Sequence, residues 1–186
     1  MAYDYYAMVP YHESRRPHPL EEVVEPLEQF GFKVALEECA SPDRYAEALM
    51  RWWAWPDPFL LVEHDVVCSK ELLQSIWSCP ELLCVGDYYW RFGLLAHISC
   101  HRIGTELDWQ YIPGDLEWCD MVGFGVIKFT PELKRQMPWQ EWLINRGGWS
   151  NLDSQFSNVL TRKRIRAHIH RPVADHRVGL QKPGWA

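Results

Sequence analysis

Phe59-Leu60-Leu61-Val62 is a four-residue run with no polar atom in any side chain, preceded by Pro56 and Pro58 and followed at once by Glu63-His64-Asp65. A strand with one wet face alternates apolar and polar residues. An unbroken apolar run too short for a helix, entered through two prolines that a helix interior does not tolerate, therefore reads as a central strand covered on both faces. Such a strand requires neighbouring strands on either side and helices above and below, and the rest of the chain has to supply them.

It does so largely in alternation. Tyr5–Pro10 reads as a short buried strand, and Pro19 to Phe30, closed by Gly31, as a helix weakened by Pro26. Lys33–Glu38 is a second strand, and Ser41-Pro42 supplies the cap and first helical position of a helix to about Trp53. Ser69 caps a short helix to about Trp77; Leu82–Val85 and Leu94–Ser99 are further strand candidates. Val122–Phe129 reads as a strand interrupted by Gly123 and Gly125, Thr130-Pro131 opens a short helix, and Ser150 opens another to about Thr161. In Arg164–Val173, Ile165, Ala167 and Ile169 alternate with Arg166, His168 and His170, the period-two pattern of a half-buried strand. The expected fold class is α/β: a mixed, mainly parallel sheet flanked by helices, in a single domain over residues 1–186 with no repeat or linker-like break.

Composition narrows the setting. No stretch approaches the roughly 18 to 20 apolar residues of a membrane span, and the opening MAYDYYAMVP lacks the basic and long apolar regions of a secretory signal, so a cytoplasmic chain without a membrane partner is expected. The cysteines at 39, 68, 79, 84, 100 and 119 contain no C-x-x-C pair and read as buried free thiols. Net charge is -6, unevenly placed: residues 161–186 carry seven Lys/Arg against one acid, Asp175, whereas residues 1–160 carry 12 basic against 24 acidic side chains. A basic terminal segment suits an anionic ligand or nucleic acid, and a solvated tail accounts for the charge equally well.

Ligands of α/β sheets bind beyond the carboxyl ends of the strands, where Glu63 and Asp65 stand, and carboxylate oxygens are what a hard divalent cation prefers. Charged residues also simply end strands. His168 and His170 share one side of the last strand, and His176 follows Pro172; with Arg162, Lys163, Arg164, Arg166 and Arg171 around them they suit a metal, an anion or a polar surface. Asp153 offers another carboxylate, either for proton transfer or as the capping partner in Ser150-x-x-Asp153.

Taken in chain order, these pieces resemble the GT-A family of nucleotide-sugar glycosyltransferases, in particular its small, phage-type members. Tyr6–Arg16 (YAMVPYHESRR) resembles the first strand and loop that hold the nucleotide, and Phe59–Val66 (FLLVEHDV) the strand ending in the D-x-D metal motif, with Glu63 in place of the first acid. Gly123-Phe124-Gly125 is similar to the glycine-containing strand near sugar and acceptor, Trp149–Asp153 to the Trp-containing segment with a catalytic acid, and His168 to His176 to the C-terminal histidines that meet metal or diphosphate. The resemblance implies a sugar moved from a nucleotide-diphosphate donor to a hydroxyl acceptor with Mn²⁺ or Mg²⁺. It assigns the metal to Glu63, Asp65, His168, His170 and His176, and the nucleotide and diphosphate to Pro10, Tyr11, Arg15, Arg16 and Arg166. Sugar and acceptor fall to Gly123, Phe124, Gly125 and Trp149, and proton transfer to Asp153. Some enzymes of this type decorate hydroxymethylated DNA bases, which makes modified DNA one candidate acceptor.

Two other classes compete. His168-x-His170 followed by Asp175-His176 superficially matches a metallo-hydrolase H-x-H-x-D-H box, but its spacing is two residues too long. A non-catalytic carbohydrate- or nucleic-acid-binding module is suggested by the eleven Trp and the basic terminus, since aromatic faces stack on sugars and bases.

Overall fold

The computed structural model describes residues 5–13, 20–90, 96–97, 100–102, 109–111, 117–143 and 151–176. In chain order the elements are β1 (Tyr6–Tyr11), α1 (Glu21–Phe30), β2 (Lys33–Glu38), α2 (Pro42–Ala54), β3 (Phe59–Val62), β4 (Val66–Val67), α3 (Lys70–Ser78) and β5 (Leu83–Trp90). There follow β6 (Ala96–His97), β7 (Cys100–Arg102), β8 (Trp109–Tyr111), β9 (Trp118–Cys119), β10 (Val126–Phe129), α4 (Pro131–Gln136), α5 (Asn151–Lys163) and β11 (Ala167–His176). Among the described residues, no helix is long and apolar enough to cross a membrane.

The main sheet runs β2-β1-β3-β10-β5-β11-β4, with β6 added to β5 and β9 to β11. β1 is parallel to both β2 and β3, and β11 to β5, while β10 enters antiparallel between β3 and β5. The carboxyl ends of β1, β2, β3, β5 and β11 therefore share one edge of the sheet.

β3 is buried at all four positions, as its sequence requires. Phe59 and Leu61 face a core shared with Tyr45, Leu49 and Trp53 of α2, Leu133 of α4 and Leu152, Phe156 and Leu160 of α5. Leu60 and Val62 face a second core with Val23 and Leu27 of α1 and Leu72, Leu73 and Ile76 of α3. The result is three layers, helices on both faces of one sheet, and each β3 side chain contributes about 1.5–3 kcal/mol by leaving water.

Local signals place the helices. The hydroxyls of Ser41, Ser69 and Thr130 accept from the backbone N–H of Arg44, Leu72 and Leu133, and Gly31 closes α1 with φ 109°, a conformation L side chains rarely adopt. Two expectations need correction. Gly123 and Gly125 precede the strand rather than interrupt it, since β10 begins only at Val126. The alternation expected over Arg164–Val173 holds at Ile165, Ala167 and Ile169, which are buried, and at Arg166 and His168, which are not, but His170 is buried as well, because α3 packs over that part of β11. Of Leu94–Ser99 only the short β6 lies in the described residues, as Pro19 and Ser150 do not.

Candidate active site

Beyond the carboxyl ends of β1, β2 and β3 lies a cleft of about 200 Å³ lined by Pro10, Tyr11, His12, Cys39, Tyr45, Glu63, His64 and Asp65. Each lining residue comes from a strand's exit or the helix that follows. Pro10 and Tyr11 end β1, Cys39 follows β2, and Tyr45 lies in the first turns of α2 behind the Ser41 cap. Cys39 is tied down through its N–H to the Tyr11 carbonyl at 2.7 Å, and burial, reinforced by Glu37, pushes its thiol up to about 11, so it stays protonated.

Glu63 is the first residue after β3. Its N–H donates to the Gly125 carbonyl at 2.9 Å, and its own carbonyl accepts from Val66 at 3.0 Å, so Glu63-His64-Asp65 forms a turn anchored at both ends. Strand alternation turns Glu63 to the same face as Phe59 and Leu61, where the Tyr45 hydroxyl donates to Oε1 at 3.4 Å. Burial first, then the charges of Asp65 and Asp153, hold the Glu63 carboxyl well above the usual carboxylate range, against a smaller opposing effect from Tyr45.

Asp153 thus reaches the same electrostatic neighbourhood from 90 residues away. It lies in the first turn of α5, where Oδ1 accepts from the Ser154 N–H at 2.7 Å. Burial raises its carboxyl to about 6 in spite of those local hydrogen bonds. α5 is set against the segment before Gly123 by Ser157, whose hydroxyl accepts from the Val122 N–H at 3.0 Å and donates to the Val122 carbonyl at 3.2 Å.

Three acids in one partly buried place oppose each other's ionisation, and a divalent cation relieves that opposition by replacing protons. Carboxylate oxygens suit a hard cation, Mg²⁺ or Mn²⁺, better than a soft one; among the described residues, the oxygens of these three acids are not drawn together into one ligand group.

The histidines divide. His176 at the end of β11 pairs in register with Val66, which places its backbone beside Asp65. His168 and His170 lie on the opposite face of the sheet, over α3, with Nδ1 of His168 at 3.2 Å from Cys79 Sγ and Nδ1 of His170 at 2.7 Å from Ser75 Oγ. Burial, then His168 and Lys128, push His170 down to about 4, which keeps it neutral. Sequence spacing correctly puts both rings on one side of a strand; which side they take depends on what packs there.

Arg166 precedes β11 at the other edge of the sheet, ion-paired with Asp120 at 3.1 Å, and so does not reach the cleft. Phe124 is 3% exposed and packs edge-on against Phe129, Trp142 and Phe156, so it builds the core behind the site rather than touching a sugar. Gly125 acts through its carbonyl on Glu63. Arg15, Arg16 and Trp149 lie outside the described residues. His12, Cys39, Tyr45 and His64 are cleft residues that motif matching missed, and the rule that ligands sit beyond parallel strand ends points to all four.

The sequence matches no family profile and no curated protein. Solved structures do resemble it. A197 from STIV aligns over 99% of this chain and 97% of its own at TM-score 0.59 and 14% identity. The 4-diphosphocytidyl-2C-methyl-D-erythritol synthase of Anaerococcus prevotii aligns over 96% and 92% at TM-score 0.53 and 9% identity. A UDP-glucose pyrophosphorylase complexed with UDP-glucose aligns over 91% and 92% at TM-score 0.52 and 12% identity. At these identities the likeness is one of fold: a mixed, mainly parallel sheet between helical layers, the architecture that the resemblance to GT-A enzymes implies.

Proposed function

We propose that the chain is a Mg²⁺- or Mn²⁺-dependent glycosyltransferase that moves a sugar from a nucleotide-diphosphate donor to a hydroxyl acceptor. The observation that carries this is the placement of Glu63 and Asp65 in a cleft at the carboxyl edge of the sheet, with Asp153 near enough to oppose the ionisation of Glu63. Glu63 and Asp65 hold the cation, which when bound supplies a Lewis acid for the departing diphosphate. Pro10, Tyr11, His12 and Tyr45 form the wall against which a nucleoside packs. Asp153, its carboxyl raised towards neutrality, accepts the acceptor hydroxyl's proton in an inverting reaction. His176, whose backbone pairs with Val66 next to Asp65, is assigned as a further donor to the same cation or diphosphate, a reading that the strand pairing supports.

A hydroxymethylated DNA base as acceptor draws its support from the basic segment 161–186. Within it Arg162, Lys163, Arg164 and Arg166 gather at the end of α5 and the start of β11, the sheet edge away from the cleft, and Lys163 is ion-paired with Glu141 at 2.9 Å. A small hydroxyl compound or a glycan suits the acidic remainder of the chain better.

Two of the similar structures are by name a synthase and a pyrophosphorylase, and the same cleft suits nucleotidyl transfer as a second reading. A thermal-shift panel separates them: UDP-, GDP- and CDP-sugars, each with Mn²⁺ or EDTA, against the nucleoside triphosphates with sugar 1-phosphates. Mn²⁺-dependent stabilisation by a nucleotide sugar, with nucleoside diphosphate released on adding acceptor, is expected. Pyrophosphate release from a triphosphate and sugar phosphate would establish the second reading instead, and full activity in EDTA would remove the cation from the first.

A further inference from the structure

On the α3 face of the sheet, away from the acidic cleft, Cys79, His168 and His170 bring one ligand atom each to within 4.8 Å of one another. Cys79 Sγ stands 3.2 Å from His168 Nδ1, and the two imidazole centroids are 4.6 Å apart. In a tetrahedral site with metal–nitrogen bonds of about 2.0–2.1 Å and metal–sulfur bonds of about 2.3 Å, ligand atoms lie about 3.3–3.6 Å from one another. The Cys79–His168 pair is thus near that spacing before any ion enters, and the third atom lies within 4.8 Å of both.

His170 carries the strongest mark of a ligand. The residue is 5% exposed, its Nδ1 is engaged by Ser75 Oγ at 2.7 Å, and its Nε2 is buried without a hydrogen-bond partner. A metal-binding histidine ordinarily directs one nitrogen at the ion while the other donates to an orienting group. Ser75 fills the orienting role, and an unpartnered buried nitrogen is otherwise a cost to the fold. Trp118 lies against the His168 ring with centroids 4.8 Å apart, and Lys128 donates to the carbonyls of Trp77 and Cys79, fixing the chain at the cysteine.

We propose that Cys79, His168 and His170 form a transition-metal site of the Zn²⁺ class, separate from the acidic cleft and independent of the glycosyltransferase assignment. One sulfur and two imidazole nitrogens select a softer ion than Mg²⁺. On binding, the Cys79 thiol proton leaves to solvent and the two imidazoles ligate as neutral bases. Cys79 and His168 are half-exposed, which leaves the fourth position to water or to an exogenous ligand. The ion joins the end of α3 to β11 across about 90 residues of sequence, and so braces the strand whose far end, at His176, pairs with Val66.

Cobalt reports on such a site, because Co²⁺ with thiolate and imidazole ligands gives a near-ultraviolet thiolate charge-transfer band and intense visible bands. Titrating the full chain with Co²⁺, then displacing it with Zn²⁺, is expected to show one tight equivalent with both bands, lost on adding Zn²⁺. Cys79→Ser should abolish the near-ultraviolet band with an unchanged far-ultraviolet circular dichroism spectrum. His168→Gln, at a half-exposed position, should retain the band with weaker binding, and Ser75→Ala should lower affinity about 10- to 100-fold. Glu63→Gln should leave the titration as in the parent protein. A parent protein without the thiolate band, a band that survives Cys79→Ser, or a band lost in Glu63→Gln would each overturn the proposal.

Discussion

The Glu63 N–H donates to the Gly125 carbonyl at 2.9 Å, one residue beyond the last β3–β10 pair, Val62 with Val126. That bond extends the antiparallel ladder just far enough to fix the backbone of an acid whose side chain is opposed by burial and by two other carboxylates. The site is held in an electrostatically unfavourable arrangement by the regular structure behind it, a condition characteristic of functional sites.

Glu63→Gln therefore separates stability from function. Replacing a carboxyl that keeps its proton in the folded chain but ionises in the unfolded one should raise the melting temperature of the metal-free protein by about 2–4 °C for each kcal/mol recovered, as measured by calorimetry at pH 7. The same change should eliminate the additional stabilisation by Mn²⁺ with a nucleotide sugar. A variant that melts lower than the parent protein without metal would show that Glu63 is held by favourable contacts instead.

Gly86 lies in β5 where there is no room for a methyl group. An added Cβ would sit 3.0 Å from Val126 Cβ and 3.3 Å from Ile76 Cδ1 and Leu72 Cδ2. Because Val126 Cβ moves only with the β10 backbone, Gly86→Ala is expected to cost about 1–3 kcal/mol by overpacking. Urea unfolding reads this directly, and stabilisation by the variant would mean that α3 slides outward freely.

Much of the architecture was legible because it rests on local chemistry. β2 and β3 have the boundaries read from sequence, and the Ser41, Ser69 and Thr130 caps start their helices where hydroxyl and backbone N–H dictate. Glu63 and Asp65 were legible because a chain leaving a central parallel strand must emerge at the ligand-binding edge. What sequence did not disclose were choices made by packing between distant segments. His168 and His170 alternate as expected, yet nothing within β11 says that α3, 89 to 95 residues earlier at these contacts, places Ser75 and Cys79 over them. Phe124 sits between two glycines in a motif-like setting, and only the Phe129, Trp142 and Phe156 cluster shows why it turns inward.

That aromatic cluster also positions α5. Phe156, fully buried, packs edge-on against Trp53, Phe124, Phe129 and Trp142 with centroids between 5.2 and 6.0 Å, one turn along the helix from Asp153. Phe156→Ala should cost about 3–5 kcal/mol. Phe156→Leu, which keeps most of the volume, should remain folded yet lower transfer by shifting Asp153. Parent-level transfer in a folded Phe156→Leu protein would dissociate the cluster from the site.

Asp153→Asn tests whether this carboxyl acts in chemistry or only in its helix, and pH provides the second axis. The Asp153 carboxyl sits at about 6 in the folded chain against 3.8 for the ordinary aspartate. Between those values the folded state keeps a proton that the unfolded state has lost. The contribution of Asp153 to stability is accordingly full below about 3.8 and is lost as pH rises through about 6. Asparagine does not titrate, so Asp153→Asn should gain stability relative to the parent protein as pH rises from 4 to 7, by roughly 2 kcal/mol. Its side-chain oxygen can still accept from the Ser154 N–H, and the folded variant should bind donor yet transfer sugar at least ~100-fold more slowly, the scale of a lost general base. Transfer at the parent rate would leave Asp153 with a structural part alone, whereas loss of donor binding along with transfer would make it a ligand of the cation rather than the base.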